Sequence, residues 1–178
     1  MTAFLPPADK IWWKVPVGKQ ELIWIAIALV WCLIMFLMMP IWHVYGKQNL
    51  SNEAYQTTPA KFGKRVDEMV AKYKVREEFG IPVVHPPAGS DVYILGRLWQ
   101  WYPIVELEKD KEYRIHLSSM DWQHGFSLQP INVNLQVLPG YEMVVKMTPD
   151  TVGEFGVVCN EYCGIGHHTM VGKIYVKE

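Results

Sequence analysis

The chain has 178 residues, half of them hydrophobic, and 17 Lys and Arg against 18 Asp and Glu leave a net charge of −1. This length suits one domain plus a smaller appendage. A near-neutral balance without any Lys/Arg-rich tract excludes nucleic acid as a partner, whereas eight tryptophans, several of them beside an apolar run, point to a membrane.

After a tail of residues 1–20, a transmembrane helix is predicted over 21–46. Its centre, LIWIAIALVWCLIMFLMM, is eighteen consecutive apolar positions, and the uncharged stretch continues through Pro40 and His43 to Gly46. At 1.5 Å per residue, roughly 20 residues cross the ~30 Å hydrocarbon core. Trp12, Trp13 and Trp24 toward one side, and Trp42 and Tyr45 toward the other, suit the aromatic belts of the two interfaces. A cleaved signal peptide would have an apolar region of ~7–15 residues and a small-residue cleavage site. PIWHVYGK offers no such site, and length also disfavours a buried soluble helix, so a retained single-pass anchor in lipid is expected. Lys10, Lys14 and Lys19 precede the span and Lys47, Lys61, Lys64 and Arg65 follow it, a small margin for an inside N-terminus. Cys32, in mid-span, packs as a small hydrophobe.

Residues 47–90 read as a linker with an amphipathic helix. Thr58 as N-cap, Pro59 at the first helical position and a stop at Gly80 and Pro82 punctuate a helix, with Phe62, Val66, Met69, Val70 and Tyr73 along one face. The charged residues between them form a solvated face. From Asp91 to Glu178 the pattern changes to short strands. EYRIHLS alternates, Tyr113, Ile115 and Leu117 facing one way and Glu112, Arg114 and His116 the other; YEMVVKM, EFGVV and VGKIYVK are similar runs separated by turns at LPGY and TPDTVG. Strands at this spacing with no intervening helix predict an antiparallel sandwich or barrel.

CNEYCGIGHHTM, residues 159–170, puts two of the three cysteines, two histidines and a methionine within twelve positions. A structural disulfide would leave His167 and Met170 idle. Covalent haem attachment needs C-x-x-C-H, and the spacing here is three, with Gly164 after Cys163. Zinc could take Cys159, Cys163 and His167 but would leave the thioether over. Thiolate, imidazole and weak thioether together form the ligand set of electron-transfer copper. A mononuclear site needs one Cys, so the second implies a bridged pair of coppers and a further imidazole, for which His124 in SSMDWQHGFSL is the candidate.

This loop resembles the C-x-E/Q-x-C-x-x-x-H-x-x-M loop of the binuclear copper centre, CuA, in subunit II of the haem–copper oxidases. SSMDWQHGFSL and NVNLQVLPG are similar to that family's first-histidine region and the strand and turn after it. A single span resembles the B-type oxidases. The resemblance implies a cupredoxin-like all-β sandwich with one N-terminal transmembrane helix, and as copper ligands His124, Cys159, the main-chain carbonyl of Glu161, Cys163, His167 and Met170. It implies a membrane terminal oxidase subunit in a prokaryotic cell membrane, its copper domain on the outer side. Electrons would come from cytochrome c or a similar donor and pass to haem in subunit I, where oxygen is reduced. Trp99 and Trp101, in GRLWQWYP, are the expected points of electron uptake, one of them also suiting a core position. The family's A-type members carry acidic donor-docking residues where this chain has the neutral Asn132, Asn134 and Gln136. A CuA subunit of a nitric oxide reductase and a free-standing copper carrier are the alternatives. His43 reads as interfacial, His85 and His116 as structural, with His116 on an outward strand face, and His168 as outside the ligand pattern.

Overall fold

The computed structural model describes residues 14–46, 53–131 and 133–178. Of the residues considered from sequence, Lys10, Trp12, Trp13, Lys47 and Asn132 lie outside the described residues. The chain divides into two compact units, Met1–Gln48 and Asn49–Glu178.

In the first unit, helix α1 runs from Lys19 to Tyr45 without a break at Pro40. The Glu21 carboxylate accepts the Gly18 N–H at 2.7 Å and so caps the start; at the other end the Gly46 N–H donates to the Trp42 carbonyl. Twenty-seven residues give about 40 Å of helix, more than the ~30 Å of a hydrocarbon core. Its side chains are exposed all round, Trp24, Phe36 and Trp42 among them. Such a helix has no polar face to turn to water. Among the described residues it is the one helix long and apolar enough to cross a membrane.

The second unit is a β-sandwich. Its elements in order are β1 (Glu53–Gln56), α2 (Pro59–Tyr73), β2 (Lys74–Glu78), β3 (Ile81–Val84), β4 (Asp91–Arg97), β5 (Gln100–Tyr102), β6 (Ile104–Glu108), β7 (Tyr113–Ser119), β8 (His124–Gln129), β9 (Val133–Val137), β10 (Tyr141–Met147), β11 (Gly153–Cys159) and β12 (Val171–Lys177). One sheet has the order β1-β10-β7-β4-β5 and the other β2-β3-β6-β12-β11-β8-β9. The β4–β7, β3–β6 and β6–β12 pairs are parallel, so the sandwich is mixed rather than purely antiparallel. Trp101, Leu107, Tyr113, Ile115, Leu117, Phe126 and Ile174 are among the buried side chains of the main core.

Three expectations are corrected. The stretch 47–90 is not merely a linker: β1 pairs with β10, and β2 and β3 extend the second sheet. Helix α2 keeps its Thr58 cap, whose hydroxyl accepts the Lys61 N–H at 3.3 Å, but ends at Tyr73 instead of Gly80. Phe79 and Gly80, with φ of 52° and 77°, form a two-residue turn that folds Lys74–Glu78 back as a strand on Ile81–Val84. Thirdly, His116 does point away from the main core, yet it is buried. Phe62, Val66 and Leu95 form a second apolar cluster where α2 packs on β4, and this covers the outer face. There His116 Nδ1 lies 2.6 Å from Glu142 and Nε2 3.1 Å from Asp91, while Arg65 of α2 binds Glu142 at 2.7 Å. Burial of these groups is tolerated because each has a partner.

Candidate metal centre

At one end of the sandwich β7 and β11 finish and β8 and β12 begin, so residues distant in sequence meet there. His124 opens β8, Cys159 closes β11, and the loop between Cys159 and β12 carries the other candidates. That loop is pinned at both ends: the Cys159 N–H donates to the Met170 carbonyl at 3.1 Å, and the His167 N–H to Gly164 at 3.1 Å. His167–Thr169 form one 3₁₀ turn, which sets Met170 back into the core. Gly164, at φ 106°, turns the chain in a conformation that favours glycine.

All six residues named from sequence as ligands come together. The two thiol sulfurs are 3.7 Å apart, far beyond the ~2.05 Å of a disulfide, and both cysteines are free. Cys159 Sγ lies 3.9 Å from His124 Nδ1 and 3.3 Å from the Glu161 carbonyl oxygen. Cys163 Sγ lies 3.7 Å from His167 Nδ1 and 3.7 Å from Met170 Sδ. Each thiol therefore has an imidazole and a weaker donor on its own flank. Thiolate–metal bonds near 2.3 Å, as for zinc, would let one ion touch both sulfurs, since their separation is less than twice that length. His124, Cys159, Cys163 and Met170 are all buried and His167 is half-buried, so the cluster is closed except at the His167 side. Burial, together with the hydrogen bond and charge of Cys159, pushes the Cys163 thiol up to about 11. A metal binding both sulfurs as thiolates must displace that proton.

Asp121 was not singled out in the sequence. Its Oδ1 sits 2.8 Å from His124 Nε2 and accepts the Trp122 N–H, while Oδ2 accepts the Leu98 N–H at 2.8 Å. Occupying Nε2 leaves Nδ1 free toward Cys159 and fixes the ring. Burial raises the Asp121 carboxyl, but the bonds from His124 and the two backbone amides outweigh it and hold the group below the usual carboxylate range. The one sequence signal was an acid three residues before a histidine, too common to read alone.

The two tryptophans part company. Trp101 is 1% exposed and meets His124 edge-on at 6.0 Å between ring centroids, so it is core and cannot meet a partner. Trp99 is 39% exposed and donates its indole N–H to the Cys163 carbonyl at 3.2 Å. With Leu98, Trp122, Tyr162 and Ile165 it rims an apolar depression of about 430 Å³ over the cysteine loop. Of the other histidines in this unit, His168 is exposed, and His85 faces Glu106 and Glu108. The Glu161 carboxylate accepts from Gln123 at 3.4 Å.

No protein-family model matches the chain. Cytochrome c oxidase subunit 2 of Thermus thermophilus is 39% identical over 93 residues, covering 52% of this chain and 69% of that protein. Heme-copper oxidase subunit 2 of Aeropyrum pernix is 30% identical over 114 residues, 62% of this chain and 45% of the relative. Among solved structures, a chain from a cryo-EM structure of a heme-copper terminal oxidase dimer superposes with a TM-score of 0.56 at 22% identity, covering 89% of this chain and all of that one. A rusticyanin variant superposes with a TM-score of 0.53 at 15% identity, over 73% of this chain and all of that one. At these identities the structural likeness bears on fold alone, and it is to the cupredoxin-like sandwich.

Proposed function

The chain belongs to the family of cytochrome c oxidase subunit 2, and from that membership we propose that it is the electron-accepting subunit of a membrane haem–copper oxidase, built around a binuclear copper centre, CuA. The ligands are His124, Cys159, the Glu161 carbonyl, Cys163, His167 and Met170. One observation carries this reading: two buried free thiols 3.7 Å apart, each flanked by its own imidazole and its own weak donor. Zinc would leave the thioether unused and a single blue copper would leave a thiol unused.

Bound there, a copper pair supplies one-electron storage shared over two metals. The protein's part is to hold the donors still and dry. Asp121 orients His124, Trp101 backs its ring, and the turn from His167 to Met170 keeps the thioether inside the core. A cage that does not rearrange on reduction lowers the barrier to transfer, and the weak Met170 and Glu161 donors tune the potential. The electron donor, cytochrome c or a similar protein, docks on the apolar rim around Trp99. The acceptor is haem in subunit I, the partner chain in which oxygen is reduced. Helix α1 is the single anchor in a prokaryotic cell membrane, and the sandwich lies on its outer side.

Copper per chain and the visible spectrum of the detergent-solubilised protein test this. Two coppers and a purple mixed-valence spectrum are expected for the native chain, with loss of both in Cys159→Ser and Cys163→Ser. Met170→Leu should keep both coppers and shift the potential. One copper with a blue spectrum would overturn the binuclear reading.

A further inference from the structure

Gly125 follows the ligand His124 on β8, and the chain after Cys159 crosses directly over it. A Cβ at Gly125 would fall 2.8 Å from the Glu161 backbone nitrogen, 2.8 Å from Glu161 Cγ and 2.0 Å from Asn160 Oδ1. The two side-chain contacts could swing aside, but the backbone nitrogen cannot move without carrying its peptide. Gly125 is held at this crossing from the other direction too: its carbonyl accepts the Asn160 N–H at 3.3 Å. The Asn160 side chain donates in turn to Asn134 Oδ1 at 3.1 Å, on the neighbouring edge strand β9. Four residues on three segments thus fix the height of one peptide above β8. That peptide precedes the Glu161 carbonyl, whose oxygen lies 3.3 Å from Cys159 Sγ.

Resting on the copper reading, we infer that Gly125 is a positioning residue, whose missing side chain lets the Asn160–Glu161 peptide seat on β8 and so sets the distance of the Glu161 carbonyl from the copper pair. It touches no metal and acts only through the loop above it. Asn134 and Asn160 complete the clamp from the side. A carbonyl oxygen is a harder donor than thioether or thiolate and favours the more oxidised copper. Lifting it away therefore raises the midpoint potential. Both cysteines and both imidazoles stay in place, so the coppers would be retained.

The test uses the full chain in detergent with Gly125→Ala and Asn134→Ala, the second adding no bulk in case the first fails to fold. Copper stoichiometry, the electron paramagnetic resonance hyperfine pattern and the midpoint potential are measured. Hydrogen exchange of the Asn160 amide is followed in the copper-free protein. For Gly125→Ala the expected result is two coppers, a changed hyperfine pattern, a higher potential and faster exchange at Asn160. Asn134→Ala should move the same quantities less, in the same direction. Unchanged potential and hyperfine pattern in folded Gly125→Ala, or in Asn134→Ala should Gly125→Ala not fold, would overturn the inference. If the native chain itself fails to bind two coppers, the copper reading falls separately. The exchange measurement then still decides whether Gly125 seats the loop, an unchanged rate counting against it.

Discussion

The indole N–H of Trp99 donates across 3.2 Å to the carbonyl oxygen of Cys163, one residue's backbone away from a buried thiol. The ring lies flat on Gly166, where a Cβ would fall 2.2 Å from Trp99 Cδ2. One exposed aromatic surface is thereby joined to the cluster of cysteines and histidines by a single hydrogen bond. Trp99→Ala should weaken donor binding by about thirtyfold, since a central aromatic anchor is commonly worth ~2 kcal/mol. Trp99→Phe keeps an aromatic ring but loses the N–H together with the five-membered part of the indole, so it should bind the donor better than the Ala variant yet accept electrons more slowly than the native chain. Stopped-flow reduction across donor concentrations separates the two effects. Equal binding by the Ala variant would mean that the donor docks elsewhere.

The uncharged side chains of β9 make a second expectation. Asn134 and Gln136 are exposed on β9, where acidic docking residues would give long-range attraction, and the rim itself is apolar. Steering falls steeply as the Debye length shrinks from ~30 Å at 0.01 M salt to ~8 Å at 0.15 M. With no acidic patch on β9 to screen, the donor's on-rate should change little over that range, apolar contact setting the affinity instead. A steep decline in the same stopped-flow series would place the docking site on an acidic surface.

Asp121→Asn addresses the ring orientation of His124. The amide still fills the space but cannot bind the imidazole N–H and two backbone amides as a carboxylate does. Loss of such a partner behind a metal-ligating histidine typically costs 10–100-fold in affinity. Copper competition with a chelator should show a loss of that order, with the fold intact by circular dichroism. Unchanged affinity would assign Asp121 to the Leu98 and Trp122 turn alone.

What could be read from sequence was what is local. The candidate loop ligands lie within twelve residues, and the Tyr113–Ser119 alternation follows directly from the period of a strand. Non-local causes were hidden. Lys74–Glu78 consists largely of helix formers and becomes a strand only by pairing with Ile81–Val84 across the Phe79–Gly80 turn. Glu53–Gln56 has no alternation to announce it, and its strand state comes from β10. His116 had the correct face but the wrong environment, because nothing near it in the chain says that α2 will cover it. Gly125 and Asp121 matter only once the fold brings residues 98, 160 and 161 beside them.

Glu106 offers a prediction in pH. It is 4% exposed on β6, bonded to Lys177 of β12 at 2.6 Å and to Arg76 of β2, so it ties an edge strand to the sheet interior. Burial raises its carboxyl, but the bonds and charges of Lys177 and Arg76 outweigh that and leave it below the ordinary glutamate value. A carboxyl depressed in the folded state gives stability that is fully present above its unfolded pKa, ~4.3, and is lost as pH falls through the lower folded value. Glu106→Gln should therefore unfold more easily than the native chain at pH 7, by about 1–3 kcal/mol for hydrogen bonds to charged partners. The difference should shrink below pH ~4 as the native carboxyl becomes protonated and neutral like the amide. Denaturant unfolding of the full chain in detergent between pH 3 and pH 7, followed by tryptophan fluorescence, measures both curves. A gap that persists unchanged at the acid end would mean that Glu106 acts through shape and packing, and that its charge contributes nothing.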